Sequence, residues 1–322
     1  MKLNKIKPEK ADFNFKPLIA LLDFLGMQRY KHTTVSPVTH QIINSRVGNE
    51  MAKDLPGIFG WSRPFTKTCI PAEVFELLER ANVLEIKDDL WLSKIRISSI
   101  DNMLFLHSAY PTIQTDSVFF GPDTYRFIGA IKHYFNEQKY SIGRVADICT
   151  GCGAAAIVIA EKFPSAEVYG LDINETALEF ASINAHANLL NNVHFLKSNL
   201  LANIAGDFDF ITANPPYLVD ASKRDYRHGG GLYGYQLALD IIDCALTRLN
   251  PGGTLLLYTG VPIIEGTDLF LEEVSRKLSG THLSYVYEEI DPDIFAEELL
   301  TEPYQFADRI AAVVLTARYL PN

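Results

Sequence analysis

The chain has 322 residues, 48% of them hydrophobic and 21% charged, with a formal net charge of −10. This is a globular composition, long enough for two domains. Four cysteines exclude a disulfide framework, and the acidic balance argues against general nucleic-acid binding. No apolar run is long enough to span a bilayer, and the lysine-rich start carries no secretory core, so no membrane contact and a cytoplasmic location are expected.

The charge is uneven. Residues 1–118 carry 15 basic and 13 acidic side chains (+2), and residues 119–322 carry 14 and 26 (−12). Lys2, Lys5, Lys7 and Lys10 form either a solvated tail or a grip on nucleic acid, the tail being favoured. Helical spacing marks residues 18–25 and 71–80, the second with Val74, Leu77 and Leu78 on one face. Strand-like runs follow at 90–97 and 103–108 around an Asp101-Asn102 turn. Residues 1–118 are therefore expected to form a small α+β, winged-helix-like unit that selects the substrate. Residues 117–125, with Phe119 and Phe120 as core or cofactor-packing aromatics, lead into a second domain over 119–322.

That domain opens with a helix at 124–135. Strands at 145–148, 167–171, 193–197, 208–212 and 254–258 then alternate with helices at 154–161, 175–188 and 235–249. Such alternation predicts a parallel, doubly wound, Rossmann-like α/β sheet. Runs at 282–288 and 310–317, separated by an acidic insert at 291–302, predict a terminal antiparallel hairpin closing one edge.

The first strand of this sheet contains Asp147, followed by Ile148-Cys149-Thr150-Gly151-Cys152-Gly153-Ala154. Gly151 and Gly153 let a ligand approach the backbone. Asp172 ends the second strand, where a carboxylate can accept hydrogen bonds from a ribose diol. Three readings fit the loop: a dinucleotide site through Gly151-x-Gly153-x-x-Ala156, a Cys149-x-x-Cys152 redox pair, or a nucleoside cofactor such as S-adenosylmethionine. Asp147 would attract an ammonium and repel a pyrophosphate, which favours the third. Cys149 reads as a small residue in a glycine slot and Cys152 as a variable loop position. Cys69 and Cys244 stand alone and the eight histidines lack ligand spacing, so no metal is expected.

Asn214-Pro215-Pro216-Tyr217 follows the fourth strand, at the carboxyl end of the sheet. An Asn-Pro turn is the plain reading. The chemical one is more specific. The Asn214 oxygen and the Pro215 carbonyl can accept the two N–H bonds of an amide or amino group, aiming its lone pair at a methyl donor. Tyr217 offers a flat face for stacking.

On these motifs residues 119–322 resemble the HemK-type methyltransferases, which include protein N5-glutamine methyltransferases. Asp147–Ala154 resembles their glycine loop, Asn214–Tyr217 matches their signature, and Asp225-Tyr226-Arg227-His228 with the glycines after it resembles their following loop. The resemblance implies a class I methyltransferase domain. It assigns Asp147, Thr150, Gly151 and Gly153 to the methionine end of S-adenosylmethionine, Asp172 with Ile173 to the ribose and the Ser198-Asn199-Leu200 turn to the adenine, with Asn214 also against the cofactor. Asn199 stands where many relatives have Asp, and the N-terminal part is unlike the helical bundle of the glutamine enzymes. The expected activity is methylation of a planar nitrogen on a protein, peptide or small molecule, catalysed through Asn214, Pro215 and Tyr217. RNA or DNA amino groups and a non-catalytic cofactor-binding module are the alternatives. Lys223, Arg224, Arg227 and His228 either guide a phosphate or acidic partner or lie in a solvated loop. Glu297 and Glu298 are read as a solvated helix face or part of a lid.

Overall fold

A computed structural model describes residues 14–137, 142–224 and 226–320. The lysine tail at 2–10 and Asp225 lie outside the described residues. The N-terminal part builds helices α1 (Phe15–Met27), α2 (Pro37–Asn44), α3 (Leu55–Phe59) and α4 (Ala72–Arg80), then strands β1 (Leu84–Lys87), β2 (Leu90–Ser93), β3 (Ile95–Ile100) and β4 (Met103–Ser108).

The expected single strand over 90–97 is instead two strands in different hairpins. β1 pairs with β2 through Asp88-Asp89, both at positive φ, and β3 pairs with β4 through Asp101-Asn102. Two central residues in the left-handed region match the right-handed twist of a tight hairpin, and Asp tolerates that geometry. α2 and α3 start on side-chain caps that sequence periodicity does not register. Ser36 Oγ accepts from Thr39 N at 3.2 Å, and Asp54 Oδ1 accepts from Gly57 N at 2.7 Å.

The rest of the chain runs α5 (Pro122–Glu137), β5 (Arg144–Ile148), α6 (Ala154–Lys162), β6 (Glu167–Asp172), α7 (Glu175–Ala187), β7 (Val193–Lys197), β8 (Phe208–Ala213), α8 (Gln236–Arg248), β9 (Leu249–Ile264), β10 (Thr267–Asp268), α9 (Leu269–Leu278), β11 (Leu283–Asp291) and β12 (Arg309–Tyr319). The main sheet has the order β11-β12-β9-β8-β5-β6-β7. β7, β6, β5, β8 and β9 are parallel, and β12 runs antiparallel to both β9 and β11. This is the doubly wound, Rossmann-like sheet expected, with the terminal pair closing one edge. The pair is ordered so that β12 lies inside and β11 outside.

Successive side chains of a strand face opposite layers. Val145, Val168, Phe210 and Tyr258 pack into a core under α5, α6 and α7, while Ala146, Ile148, Ile211 and Leu257 pack under α8 and α9. Both faces are covered, as a parallel sheet requires. The first core continues without a break into Leu18, Leu22, Phe75, Leu78 and Phe105 of the N-terminal part. Chain order reverses direction between β5 and β8, so the carboxyl ends of these strands frame the crevice where ligands of such sheets bind.

Candidate active site

A cavity of about 550 Å3 opens at that switch point. The predicted site residues reach it from four segments: the loop after β5, the end of β6, the turn after β7, and the tetrapeptide after β8. Asp147, Thr150, Gly151, Asp172, Ile173, Asn199, Leu200, Asn214, Pro215 and Tyr217 all line it.

Gly153 does not line the cavity. It caps α6 at φ 82°, and a Cβ there would sit 2.9 Å from the Ala181 side chain and 3.0 Å from Phe195. Its absence of a side chain lets α6 start flush against α7 and β7. Cys149, at φ 58°, occupies a left-handed position that favours glycine. Burial pushes the Cys149 thiol well up and the Cys152 thiol to about 12. That is the reverse of an activated redox pair.

Asp147 Oδ2 accepts from Thr150 Oγ1 at 2.6 Å and from Ala156 N at 3.1 Å. Its Oδ1 is buried and has no partner among the described residues. Burial pushes this carboxyl up to about 7, against the pull of the two hydrogen bonds, and the negative Asp172 adds to the rise. An orphaned carboxylate oxygen on a cavity wall fits the ammonium group of S-adenosylmethionine, which would supply both the missing donor and the missing countercharge. Asp172 is fixed by Gly151 N on Oδ2 at 2.9 Å and Asn174 N on Oδ1 at 3.0 Å. A carboxylate held in this way on the cavity wall suits the hydroxyls of a ribose.

The tetrapeptide divides its labour. Neither the Asn214 carboxamide nor the Pro215 carbonyl is bonded within the protein among the described residues, and both line the cavity. Tyr217 is buried. Its ring lies 6.1 Å from Phe295 and 6.4 Å from Tyr258, and it presses so close to β9 that a Cβ at Gly260 would lie 2.4 Å from the ring.

Its hydroxyl meets Asp123, a residue that sequence reading placed only in a connecting segment. Asp123 also accepts from Tyr258 Oη at 2.5 Å and pairs with Arg126 at 3.1 Å, while Arg126 reaches Asp291 at 2.7 Å. Burial pushes the Asp123 carboxyl up, and these donors oppose the rise. Burial and then Asp123 hold the Tyr217 phenol far above its ordinary value, so it stays protonated and donates.

The loop after the tetrapeptide roofs the cavity. Arg224 is bidentate to Asp220, with Nε at 3.0 Å and Nη2 at 2.5 Å, and these hydrogen bonds hold Asp220 down to about 2. Arg227 pairs with Asp220 at 3.5 Å and with Glu298. Both arginines thus spend their charge inside the protein. Glu298 is buried, not part of a solvated face as its neighbours suggested, and both it and Glu297 line the cavity. Tyr226 ties the roof to the N-terminal part through its hydroxyl on the Thr112 carbonyl at 2.6 Å and through stacking on Phe119. Phe119 lines the cavity, whereas Phe120 is buried against His107. Pro37, Val38, Gln41, Tyr110 and Pro111 close the far wall. Nothing in the sequence marked them, because their place depends on docking of the N-terminal part.

Among the described residues no group of His, Cys, Asp and Glu could hold a metal, and no helix is long and apolar enough to cross a membrane.

Residues 132–261 match the family described as methyltransferase small domain. A ribosomal protein uL3 glutamine methyltransferase of Neisseria gonorrhoeae is 31% identical over 147 residues, covering 42% of this chain and 49% of its own. A release factor glutamine methyltransferase of Mycobacterium leprae is 33% identical over 159 residues, covering 42% and 55%. The chain thus spans about half the length of the curated relatives it matches. A solved tRNA m1G37 methyltransferase of M. jannaschii superposes with a TM-score of 0.48 at 16% identity, over 71% of this chain and 58% of its own.

Proposed function

Since residues 132–261 match the family described as methyltransferase small domain, we propose that this chain is an S-adenosylmethionine-dependent N-methyltransferase acting on a planar amide or amino nitrogen. The observation that carries the reading is the pair of unspent acceptors, Asn214 Oδ1 and the Pro215 carbonyl, in the same cavity as the orphaned Asp147 oxygen. Among acceptors we favour the glutamine-type amide of a protein or peptide. The names of the relatives support this, and so does the absence of free arginine charge at the cavity roof, where Arg224 and Arg227 are paired with Asp220 and Glu298. A small-molecule amide is the next choice. We place the reaction in the cytoplasm. Residues 119–322 perform the transfer and residues 1–118 select the acceptor, with Gln41, Tyr110 and Thr112 on the acceptor side of the cavity.

S-adenosylmethionine, when bound, supplies an electrophilic methyl on a sulfonium. The protein positions the nucleophile. Asn214 accepts one N–H and Pro215 the other, leaving the nitrogen lone pair as the only electron pair free to attack. The two prolines keep that carbonyl from turning away. Tyr217, locked by Asp123 and seated against Gly260, stacks on one face of the acceptor plane, so that the opposite face, where the lone pair projects, meets the donor. After transfer the nitrogen is acidic and loses a proton to water, so no strong base is required.

The test is transfer of labelled methyl from S-adenosylmethionine to separated protein, small-molecule and RNA fractions. Label in protein as N5-methylglutamine is expected. Label confined to RNA, or tight binding of NAD without S-adenosylmethionine, would overturn the reading.

A further inference from the structure

Arg126, on α5, does not line the cavity, and it divides its guanidinium between two carboxylates. Nη1 meets Asp123 Oδ1 at 3.1 Å and Nη2 meets Asp291 Oδ2 at 2.7 Å. The inner carboxylate, Asp123, is 3% exposed and also accepts from the Tyr258 and Tyr217 hydroxyls. Burial, and then Asp123, push both phenols far up, so both donate and neither carries charge. Among the described residues Arg126 is therefore the cation that compensates Asp123.

The outer carboxylate opens the acidic insert. Asp291 ends β11 at a register shift, and its Oδ1 accepts from Asp293 N at 3.1 Å. Ile294 then donates its N–H to the Ile310 carbonyl at 2.8 Å and packs against β9, where a Cβ at Gly260 would lie 3.2 Å from it. Phe295 follows at φ 52°, a left-handed conformation that a bulky side chain keeps only where its surroundings impose it. Its side chain lines the cavity, and its ring lies 6.1 Å from that of Tyr217. A path from Tyr217 through Asp123, Arg126 and Asp291 to Phe295 thus returns to Tyr217.

We propose that Arg126 is a positioning residue for the transfer: by holding Asp123 and Asp291 together, it keeps the start of the insert, with Phe295, against Tyr217 on the acceptor side of the cavity. A planar fork serves two carboxylates at once, which the point charge of a lysine does less well. Without the guanidinium the two carboxylates would repel each other, one of them buried and uncompensated. The clamp stands on these contacts alone, and its consequence for transfer rests on the methyltransferase reading.

Hydrogen exchange of the full-length protein tests the clamp without any methyl transfer. In Arg126→Met the Ile294 and Glu298 amides, bonded to the Ile310 and Phe295 carbonyls, should exchange about 10-fold faster or more, while amides of β5 and β8 change far less. Asp291→Asn should do the same. It leaves Asp123 compensated, so it serves even if Arg126→Met does not fold. Wild-type exchange at both amides, or equal acceleration throughout the sheet, overturns the clamp.

The link to Tyr217 is read from transfer of labelled methyl to the protein fraction, at saturating S-adenosylmethionine and across pH. The ionisable groups facing Asp123 are Arg126 from α5, Tyr217 from the loop after β8 and Tyr258 from β9, with Asp291 beyond the guanidinium. Loss of the cation pushes the Asp123 carboxyl up, and a protonated Asp123 holds Tyr217 less firmly. The acid limb of the Arg126→Met profile should therefore move to higher pH. Arg126→Lys should move it back, and Asp291→Asn should leave it near the wild-type position. Coincident acid limbs for wild type and Arg126→Met overturn the positioning role. A wild type that labels no protein counts against the reaction instead, and the exchange rates still decide the clamp.

Discussion

The Asn184 carboxamide on α7 and the Leu106 backbone on β4 exchange two hydrogen bonds, Leu106 N to Oδ1 at 2.8 Å and Nδ2 to the Leu106 carbonyl at 3.0 Å. The same Nδ2 donates to the Cys152 carbonyl at 2.9 Å. One buried side chain therefore mimics a strand edge for the N-terminal part and braces the cofactor loop. Asn184→Ala would leave an N–H and two carbonyls buried without partners, at about 1–3 kcal/mol each before relaxation. We expect a loss of about 2–4 kcal/mol in chemical denaturation and weaker S-adenosylmethionine binding. Unchanged stability would refute the bracing role.

Asn214→Ala should lower kcat by about 10²-fold or more while S-adenosylmethionine affinity stays within a few-fold, because the carboxamide orients the acceptor. Calorimetry and single-turnover transfer separate the two effects. A variant with near wild-type turnover would remove Asn214 from the mechanism.

Asp147 sets a pH dependence. Its folded carboxyl titrates near 7, above the ordinary carboxylate value, so the folded protein binds more protons than the unfolded chain between these limits. Stability without cofactor should therefore fall as pH rises from about 4 through 7. Binding of the cofactor ammonium favours the ionised form, so affinity should rise over the upper part of the same window. Asp147→Asn should flatten both trends. Thermal midpoints and titrations across pH, wild type against variant, provide the measurement, and identical profiles would exclude Asp147 as the titrating group.

Cys149→Gly should be tolerated or mildly stabilising, because φ 58° is strained for cysteine and free for glycine. A Cys149→Gly, Cys152→Ala double variant should keep its turnover whether or not a dithiol is present. Turnover that depends on the pair and on its redox state would restore a redox role.

Much of this architecture was legible because it is written locally. Strand-helix alternation, the loop from Asp147 to Gly153 and the Asn214–Tyr217 turn each lie within one stretch of chain, and their register follows from alternating burial. The parts that escaped are those set by distant partners. Asp123 is a first-turn helix acid, a position that is ordinarily solvated, and it is buried because Tyr258, 135 residues on, donates to it. Glu298 sits in an acidic run that reads as surface until Arg227 reaches it across 71 residues. The β1–β2 hairpin was missed because its Asp88-Asp89 turn lacks the glycine that usually marks such a bend. The wall formed by Pro37, Gln41 and Tyr110 is a product of docking, which no periodicity encodes.

The inside position of β12 bears on how the chain is made. A ribosome delivers β9 and β11 before β12; β9 can pair with β8 on one side, but its other edge, and β11, have no partner in the sheet until β12 lies between them. Until then the 16-residue β9, whose side chains are among the most buried in the protein, presents an open, sticky border to anything nearby. Synthesis therefore passes through a stage with an exposed apolar edge, where a holding chaperone would have most to do. Truncation before Arg309 should leave the chain at that stage, with the motifs of the cavity present but no finished sheet to bear them.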